Sequence, residues 1–474
     1  MGLTDKVLLI IMDGLRPDTV SPETMPFLSS MVKTGVRFDS NFAAFPSKTR
    51  IASAVLATGC DPGKNGIMNN TLYFPELGGE ITTKNYEGLK RLHRSSAGPV
   101  LWVPTLAERL VKTGLRVAIS TAFGSGGAYL QDPDGYGFSV NHSYVYPETA
   151  KEVIEKRFGP GPGEIMPDTD RNQYAVRVLT EHMLPELKPD FAVLWLSEPD
   201  RTLHKCDLGS PTAMEALQLV DNCVREVVDS LQDCGLLGST DLFLLSDHGF
   251  IAHDPGIESL TRNTEDWLRG ENSPEGVVVN FNSIYMQADA QNRLQEVVAF
   301  LQQQQEIGPI FSSKPLEGVI PYSLLNLESE RSPDLYFFPR WSSQRNRYGV
   351  EGMCHGYHAH YHGSGSPYEL TTTMIGIGPS FRSGEIIRHP TGVIDVVPTV
   401  LHLLGREIDA QIDGRVLYEA LKEGREPGEV AVEDFSYRCK RKAGGYSYEA
   451  YANLAKVENT YYLREANGFS TIGR

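Results

Sequence analysis

Three apolar segments of the chain end in acidic residues, and two of these acids are accompanied by histidine. KVLLIIMDG delivers Asp13, FAVLWLSEPD delivers Asp200 with His204 four residues later, and DLFLLSDHG delivers Asp247 followed by His248. Carboxylate oxygen and imidazole nitrogen together are ligands of zinc and manganese sites. The spacing of four puts Asp200 and His204 on one face of a helical turn. A single Asp-His-Gly is usually a turn, but the three strand ends together predict a metal site.

A fourth candidate for chemistry is Thr49 in FPSKTRIASAVLATG, at the start of a helix predicted to run through Leu56. A hydroxyl at a helix N-terminus is helped by exposed backbone N–H groups and by the helix dipole, and a bound metal can deprotonate it. The alternative is that Ser47 or Thr49 only caps the helix. Capping and catalysis are compatible, so Thr49 is the candidate nucleophile.

The elements that must position these groups alternate between strands and helices. The apolar runs are typical of buried parallel strands, and active sites of open α/β sheets lie at the carboxyl ends of such strands. Between them, Val103–Thr113 and Ala213–Cys234 show helical periodicity. This alternation predicts an α/β fold, with a mostly parallel central sheet and helices on both of its faces.

With 474 residues the chain is longer than one ordinary core requires. We expect a discontinuous catalytic core in residues 1–256 and 351–426. A change in sequence style, from VVVNFNSIYMQ through a Gln-rich helical stretch to SPDLYFFPRW, predicts an α+β cap insertion in residues 257–350. The last segment, 427–474, is rich in tyrosine and basic residues and is interpreted as a C-terminal extension.

The formal net charge of −16, from 60 acidic and 44 basic residues, argues against binding to duplex nucleic acid. An acidic protein acting on anionic esters needs local positive charge, and a divalent metal supplies it; the alternative is that the acidity only aids solubility. No early apolar run is long enough to cross a bilayer. The six cysteines form no Cys-x-x-Cys pair, which is typical of reduced thiols. We therefore expect a cytoplasmic protein without a membrane partner, and leave a homo-oligomer open.

In order, IMDGLRPD, PSKT with Gly59 ten residues after its Thr, EPDRTLH, SDHG and HGSG resemble the motifs of the alkaline phosphatase superfamily. Within that superfamily they resemble the type I phosphodiesterase and nucleotide pyrophosphatase family, which includes phosphonoacetate hydrolases. The resemblance covers roughly residues 5–255 and 355–420. It implies an alkaline phosphatase-like core that hydrolyses small-molecule phosphoesters or phosphonates with two divalent metals, zinc in first place and manganese in second.

The resemblance also assigns roles to individual residues. It implies one metal held by Asp13, Thr49, Asp247 and His248, and a second held by Asp200, His204 and His362. His362 is preferred to His360 because its HG leads on to GPSF with nearly the spacing of the family. The family holds a phosphoryl oxygen with an Asn downstream of the Thr, which points to Asn70, with Asn69 as the fallback.

Three further residues are candidate substrate contacts. Lys48 could donate to a phosphoryl oxygen or be a surface residue. Arg50 stands where we expect an aromatic residue in nucleotide-cleaving members, which puts a nucleotide preference in doubt; it could pair with a second anionic group of the substrate or lie on the helix surface. His360, like His355 and His358, could touch substrate or be an ordinary loop histidine.

These features predict a phosphodiesterase that acts through a phospho-enzyme on Thr49, with a phosphonate hydrolase of the phosphonoacetate type or a phosphonate monoester hydrolase as the alternative. A sulfatase is disfavoured because its formylglycine is made from Cys or Ser, and Pro46 precedes the nucleophile instead of following it. A phosphomutase would need a lid that excludes water. A noncatalytic metal protein would not need metals beside a hydroxyl.

Overall fold

The structure is a computed structural model, and it describes residues 2–77, 79–253, 260–269, 276–356 and 360–472. In this part of the chain the α-helices are Pro26–Thr34, Thr49–Thr58, Pro62–Asn65, Tyr86–His93, Leu106–Lys112, Ser125–Leu130, Lys151–Phe158, Thr169–Val178, Asp200–Leu203, Pro211–Asp233, Leu260–Arg269, Leu294–Leu301, Pro367–Leu370 and Val396–Leu403. A π-helix, Leu179–Leu187, continues from Thr169–Val178. No helix in the described ranges is long and apolar enough to span a bilayer.

A mixed sheet forms the centre of the molecule. Its strands, in spatial order, are Glu385–Ile387, Val36–Phe38, Met374–Ile377, Thr240–Leu245, Lys6–Met12, Phe191–Leu196, Val117–Thr121, Phe138–Asn141 and Tyr144–Tyr146. The run from Thr240–Leu245 to Phe138–Asn141 is parallel throughout. Antiparallel pairings occur only toward the two edges, so the predicted mostly parallel sheet is confirmed.

Helices cover both faces of this sheet, as the central strand Lys6–Met12 shows. Leu8, Ile10 and Met12 belong to one hydrophobic cluster, which they share with residues of the Pro26–Thr34 and Pro211–Asp233 helices. The alternate residues of the strand belong to another cluster, which includes residues of the Thr49–Thr58 and Val396–Leu403 helices. Alternation of side chains along a strand sends its residues to opposite faces. A run that is apolar at every position is therefore buried on both sides, and the predicted fold class is confirmed.

A second sheet lies in the region predicted as a cap insertion. Its strands are Ala252–His253, Val277–Asn280, Ser283–Met286, Ile307–Ser312, Ile320–Pro321, Leu335–Arg345 and Glu351–His355. Two of these strands, Ala252–His253 and Glu351–His355, lie wholly outside 257–350. The division of the chain into core, cap and extension remains a prediction.

The C-terminal segment folds into a three-stranded antiparallel sheet of Glu433–Ala443, Tyr446–Val457 and Thr460–Ile472. The Tyr448 hydroxyl donates to the carbonyl oxygen of Gly308 at 2.7 Å, and the Ala466 amide donates to the carbonyl oxygen of Gly365 at 2.7 Å. The extension is thus bonded both to the second sheet and to the loop that follows His362. Two short strand pairs lie outside these sheets: Thr71–Phe74 with Gly79–Thr82, and Asn41–Phe42 with Thr391–Gly392.

Candidate active site and metal centre

The three predicted strand ends meet at the carboxyl edge of the parallel strands. Asp13 directly follows Lys6–Met12, and the strands that lead to Asp200 and Asp247 are its two neighbours in the sheet. Gly14 adopts a positive φ of 72°, and a Cβ there would lie 2.9 Å from the Cβ of Asp200. The Asp200 amide donates to the carbonyl oxygen of Asp13 at 3.0 Å. A glycine at position 14 therefore lets the two ligand-bearing segments approach closely.

The first ligand cluster consists of Asp13, Thr49, Asp247 and His248. The His248 Nε2 atom lies 3.4 Å from Asp13 Oδ1 and 3.2 Å from Asp247 Oδ2. The Thr49 hydroxyl lies 3.1 Å from the same Nε2 atom and 3.5 Å from Asp13 Oδ1. Four candidate ligand groups thus converge on one point.

The second ligand cluster consists of Asp200, His204 and His362. The Nε2 atoms of His204 and of His362 each lie 3.4 Å from Asp200 Oδ1. The two clusters adjoin, since ligand atoms of Asp13, Asp200 and His248 all lie within 4.8 Å of one another. The rings of His248 and His362 stack with centroids 3.7 Å apart and so connect the clusters.

The three histidines share one hydrogen-bonding arrangement. Each Nδ1 atom faces a backbone carbonyl oxygen: His248 that of Gly249 at 2.8 Å, His204 that of His360 at 3.1 Å and His362 that of Ser47 at 2.8 Å. A carbonyl oxygen only accepts, so each Nδ1 carries the proton and donates it. Each Nε2 is left with its lone pair directed into the clusters, which is the tautomer that binds a metal.

Carboxylate oxygens of the two clusters are buried close to one another. Burial and the neighbouring charges of Asp247 and Asp200 raise the pKa of Asp13 well above its ordinary value. Burial likewise raises the pKa of Asp247. Asp200 Oδ1 and Asp247 Oδ2 are buried oxygen atoms without a hydrogen-bond partner. Burying a carboxylate oxygen without a partner costs free energy. These oxygens face three Nε2 lone pairs, and the combination is a ligand set of divalent cations.

Thr49 is the first residue of the Thr49–Thr58 helix. Only 5% of Thr49 is exposed to solvent. The Ser53 hydroxyl, one turn on, donates to the Thr49 carbonyl oxygen at 2.6 Å, and Gln131 Nε2 donates to the Ser53 carbonyl oxygen at 2.8 Å. The nucleophile candidate therefore stands at a helix N-terminus whose first turn is fixed by side-chain hydrogen bonds.

Asn70 and Asn69 point to different places. Asn70 lines the cavity described below; its side chain hydrogen-bonds Tyr361, and its Oδ1 atom is buried without a hydrogen-bond partner. Asn69 Oδ1 accepts from Lys48 Nζ at 2.7 Å and from the Asn70 amide at 2.8 Å, while its Nδ2 donates to Ser283 Oγ at 2.6 Å. Both polar atoms of the Asn69 side chain thus have partners within the protein, and Asn69 does not belong to the described residues that line the cavity. The geometry supports Asn70 over the fallback as the partner of a phosphoryl oxygen.

Lys48 is buried, and its Nζ atom donates to Asn69 Oδ1 and to Asn282 Oδ1, the latter at 2.5 Å. Burial lowers the pKa of Lys48 to about 7. Lys48 is absent from the described residues that line the cavity. The structure thus gives the ammonium group two amide partners from different regions of the chain, and offers no support for its predicted contact with substrate.

Glu369 holds the loop that carries His362. Its Oε2 atom accepts from the amides of Gly363 at 2.7 Å and Ser364 at 2.5 Å, and from Ser47 Oγ at 3.3 Å. Ser47 in turn supplies the carbonyl that orients His362. Burial raises the pKa of Glu369, although these hydrogen bonds oppose the rise. One buried carboxyl group therefore fastens the HGSG loop to the nucleophile loop.

A cavity of about 370 Å³ opens over both clusters. It is lined by Asp13, Thr49, Arg50, Asn70, Lys84, Phe123, Gly124, Ser197, Asp200, Arg201, His204, Lys205, His360, Tyr361 and His362. The cavity thus gives a small substrate access to Thr49 and to both ligand clusters.

The other histidines of the His-rich segment differ from His362. The Nε2 atom of His360 lies 2.9 Å from Asp207 Oδ1, and its Nδ1 atom accepts from the His253 amide at 3.2 Å. Both ring nitrogens of His360 are therefore engaged, although the ring lines the cavity. His355 lies in the Glu351–His355 strand, 2.9 Å from Ser342 Oγ, and His358 is outside the described residues.

Several residues at the cavity were not predicted from the sequence. Phe123 and Gly124 follow the Val117–Thr121 strand, another parallel strand that ends at the same edge. That position is a signal that could have identified them. Tyr361 stacks on His362 with ring centroids 5.1 Å apart, and burial raises its pKa to about 12. The sequence around Lys84 has no comparable feature that could have identified this residue as part of the cavity.

The chain has an α/β fold similar to that of two solved structures. The solved structure of wild-type alkaline phosphatase PafA matches with a TM-score of 0.67 at 14% identity, covering 89% of this chain and 99% of that one. Murine ectonucleotide pyrophosphatase/phosphodiesterase 5, solved as an inactive variant in complex with AMP, matches with a TM-score of 0.59 at 17% identity, covering 85% of this chain and 96% of that one.

The model of the type I phosphodiesterase / nucleotide pyrophosphatase family matches residues 7–360, and the chain belongs to this family. The resemblance predicted from the motifs is thus confirmed. Mouse ectonucleotide pyrophosphatase/phosphodiesterase family member 1 is 25% identical over 397 residues, which are 80% of this chain and 38% of the relative. Venom phosphodiesterase 2 of Crotalus adamanteus is 27% identical over 249 residues, 51% of this chain and 26% of the relative. The chain therefore spans well under half the length of these relatives.

Proposed function

We propose that the chain is a metal-dependent phosphoric ester hydrolase, and specifically a phosphodiesterase in which Thr49 is the nucleophile. The observation that carries this proposal is the position of the Thr49 hydroxyl, at a helix N-terminus and 3.1 Å from an Nε2 lone pair of the first ligand cluster. Family membership supports the reaction class. The AMP complex of the murine neighbour supports a small-molecule phosphoester as substrate.

The first ligand cluster would hold one divalent cation and the second cluster another, with zinc as first choice and manganese as second. When bound, such a pair supplies a lowered pKa for the nucleophilic hydroxyl and neutralises charge on the leaving oxygen. Thr49 Oγ1 forms a bond to phosphorus as the bond from phosphorus to the leaving oxygen breaks. Water then cleaves the Thr49 phosphoester, which releases the product and restores the hydroxyl.

Groups of the protein itself orient the atoms that react at Thr49. The backbone N–H groups of the first helical turn and the helix dipole favour negative charge at Thr49. Asn70 lies at the cavity as a donor for an equatorial oxygen of the phosphoryl group. The backbone carbonyls that accept from each Nδ1 fix the orientation of the three imidazoles and direct each Nε2 into the clusters.

A screen of the metal-loaded protein tests the reaction class. It would compare p-nitrophenyl phosphate, bis(p-nitrophenyl) phosphate, p-nitrophenyl phenylphosphonate, a p-nitrophenyl nucleotide ester and p-nitrophenyl sulfate. We expect the diester to have the highest kcat/KM. Preference for the phosphonate would favour the phosphonate hydrolase alternative, and preference for the sulfate would overturn the proposal.

Thr49→Ala tests the nucleophile. We expect kcat to fall at least about 1,000-fold, because the substitution removes the hydroxyl that lies 3.1 Å from His248 Nε2, while metal content measured by plasma mass spectrometry stays close to wild type. Thr58→Ala is the matched control, since the Thr58 hydroxyl at the other end of the same helix donates to the Ala54 carbonyl oxygen at 2.7 Å. Full activity in Thr49→Ala would remove Thr49 from the mechanism.

A further inference from the structure

The cavity carries positive charge that the protein does not neutralise. Among the described residues, Arg50, Lys84 and Lys205 line it without an ion pair, whereas Arg201 Nη2 is paired with Glu164 Oε2 at 2.6 Å. The acids that line the cavity are Asp13 and Asp200, which are candidate metal ligands. The chain has a formal net charge of −16, so a cluster of unpaired cations at one cavity is unusual for it and favours binding of an anion there.

Arg50 is held in place by its neighbours. Its Cζ atom lies 5.6 Å from the ring centroid of Phe123, whose other neighbour is Trp195, stacked at 4.4 Å with an interplanar angle of 14°. A Cβ at Gly124 would come within 2.6 Å of Arg50 Nη2, so glycine at this position leaves room for the guanidinium. A guanidinium that is already oriented loses little entropy when it binds an anion.

Among the residues that the structure describes, none accepts a hydrogen bond from Arg50. Its Nε atom is buried and has no hydrogen-bond partner. The charge of Arg50 acts on Lys84 and lowers the pKa of that lysine, together with burial, which is the larger cause. The acids whose charge acts on Arg50 are Asp13, Asp200 and Asp247, which are candidate metal ligands. Arg50 and Lys84 repel each other, and an anion bound between them would offset this repulsion.

The same contacts argue against a stacked base at Phe123. Only 4% of this residue is exposed, with Trp195 stacked against its ring and the guanidinium of Arg50 over it. A planar base therefore finds no free face of this ring. Recognition on this side of Thr49 is better served by charge than by stacking.

We propose that Arg50 and Lys84 form a subsite for a second anionic group of the substrate, a carboxylate or a phosphate, beyond the phosphorus group that Thr49 attacks. This inference rests on the proposed function, because it assigns the substrate class of the same site. The fork of Arg50 binds the anion through two parallel hydrogen bonds, and Lys84 adds a point charge at the cavity mouth.

Three p-nitrophenyl phosphodiesters that share a leaving group test the subsite. Their second ester group is propyl, 2-carboxyethyl or 2-phosphoryloxyethyl, so that they differ in the presence and chemistry of the second anion. For the wild type we expect a kcat/KM about tenfold or more above that of the propyl ester for at least one anionic ester, as one charge-assisted contact supplies. The preferred ester distinguishes carboxylate from phosphate.

The variants are compared by the ratio of kcat/KM between anionic and propyl esters. Arg50→Gln should bring this ratio close to one, and Lys84→Gln, an exposed position where folding is not at risk, should lower it severalfold. Gly124→Ala should lower it as well, by displacing the guanidinium. Lys151→Gln is the matched control, because Lys151 is an exposed lysine outside the cavity lining and the ratio should stay at the wild-type value.

Equal kcat/KM for all three esters in the wild type, or an unchanged ratio in both Arg50→Gln and Lys84→Gln, would overturn the subsite. That outcome is distinct from failure of the proposed function. If the subsite alone is wrong, hydrolysis of the propyl ester still requires Thr49. If the proposed function is wrong, Thr49→Ala hydrolyses the propyl ester as the wild type does.

Discussion

The two ligand clusters differ in how far they are withdrawn from solvent. In the first cluster the side chains of Asp247 and His248 are fully buried, and that of Asp13 is 4% exposed. In the second, the side chain of Asp200 is 14% exposed and that of His204 27%, while that of His362 is only 3% exposed. The first cluster stands between adjacent strands of the main sheet, while the second is built on a short helix and a loop at the cavity wall.

This difference predicts that the two clusters bind their cations with different affinities. Asp13 Oδ2 accepts from Trp195 Nε1 at 3.2 Å, and Asp247 Oδ1 accepts from the Gly14 amide at 3.1 Å. The first cluster is therefore fixed by the core and suits a cation held for the life of the fold, next to the nucleophile. The second cluster faces the cavity, where ligand exchange with substrate and water is easier. Its cation should be bound less tightly.

The largest expected effect comes from Asp247→Asn. The substitution keeps the shape of the side chain, including an acceptor for the Gly14 amide, but removes one buried charge from the first cluster. We expect one cation to be lost and kcat/KM to fall at least about 1,000-fold, because a missing metal removes several kcal/mol of transition-state stabilisation. Metal content and hydrolysis of bis(p-nitrophenyl) phosphate would be measured together.

Asp190→Asn is the control for that experiment, since Asp190 lies at the opposite, amino-terminal edge of the same sheet and bonds Arg116. Its activity should remain close to wild type. If Asp247→Asn kept both cations and full turnover, the first cluster would not hold a cation that turnover requires.

His204→Gln should have a smaller effect. It removes one partly exposed ligand of the second cluster, and we expect a loss of about 10- to 100-fold in kcat/KM, the range typical of disturbed metal binding. Excess zinc should restore most of the activity, because the first cluster stays intact.

A chelator titration of the wild type should release the two cations in two steps. Simultaneous release would contradict the expected difference in cation affinity between the two clusters.

Much of the site could be predicted because strand order and sequence motif agree. Carboxyl ends of neighbouring parallel strands share one edge, so Asp13, Asp200 and Asp247 had to come close once their segments were identified as strands. His362 was harder, since the His-rich segment offers four histidines. The distinction from His360 depends on ring orientation, which is set by the carbonyl of Ser47 and by Asp207.

Other features depend on contacts that sequence spacing does not encode. The partners of Arg50 are Phe123 and Gly124, more than 70 residues away, and those of Lys48 include Asn282, 234 residues away. Lys48 and Arg50 flank the same Thr, yet only Arg50 lines the cavity. A one-dimensional motif cannot show which of two flanking cations faces substrate, because long-range packing decides it.

Lys48 precedes Thr49 and packs against the loop that carries His362, and its replacement has the smallest predicted effect. A Cβ at Gly363 would come within 2.8 Å of Lys48 Cε, so the lysine stem packs against the loop that carries His362. Lys48→Met keeps an unbranched stem and removes the ammonium group. We expect both cations to be retained and kcat/KM to change by no more than about threefold, since the Nζ atom contacts amides and not the cavity.

The free energy of unfolding provides the sharper measurement. Burial lowers the folded-state pKa of Lys48 from its ordinary value of 10.5 to about 7, so between these values the unfolded state binds more protons than the folded state. Wild-type stability relative to Lys48→Met should therefore rise from about pH 7 to about pH 10.5 and be lowest below pH 7, at up to about 1.4 kcal/mol per unit of pKa shift. Urea unfolding at several pH values measures it, and the exposed Lys33→Met serves as control. A large loss of kcat/KM with both cations bound would instead make Lys48 the substrate contact that the sequence predicted.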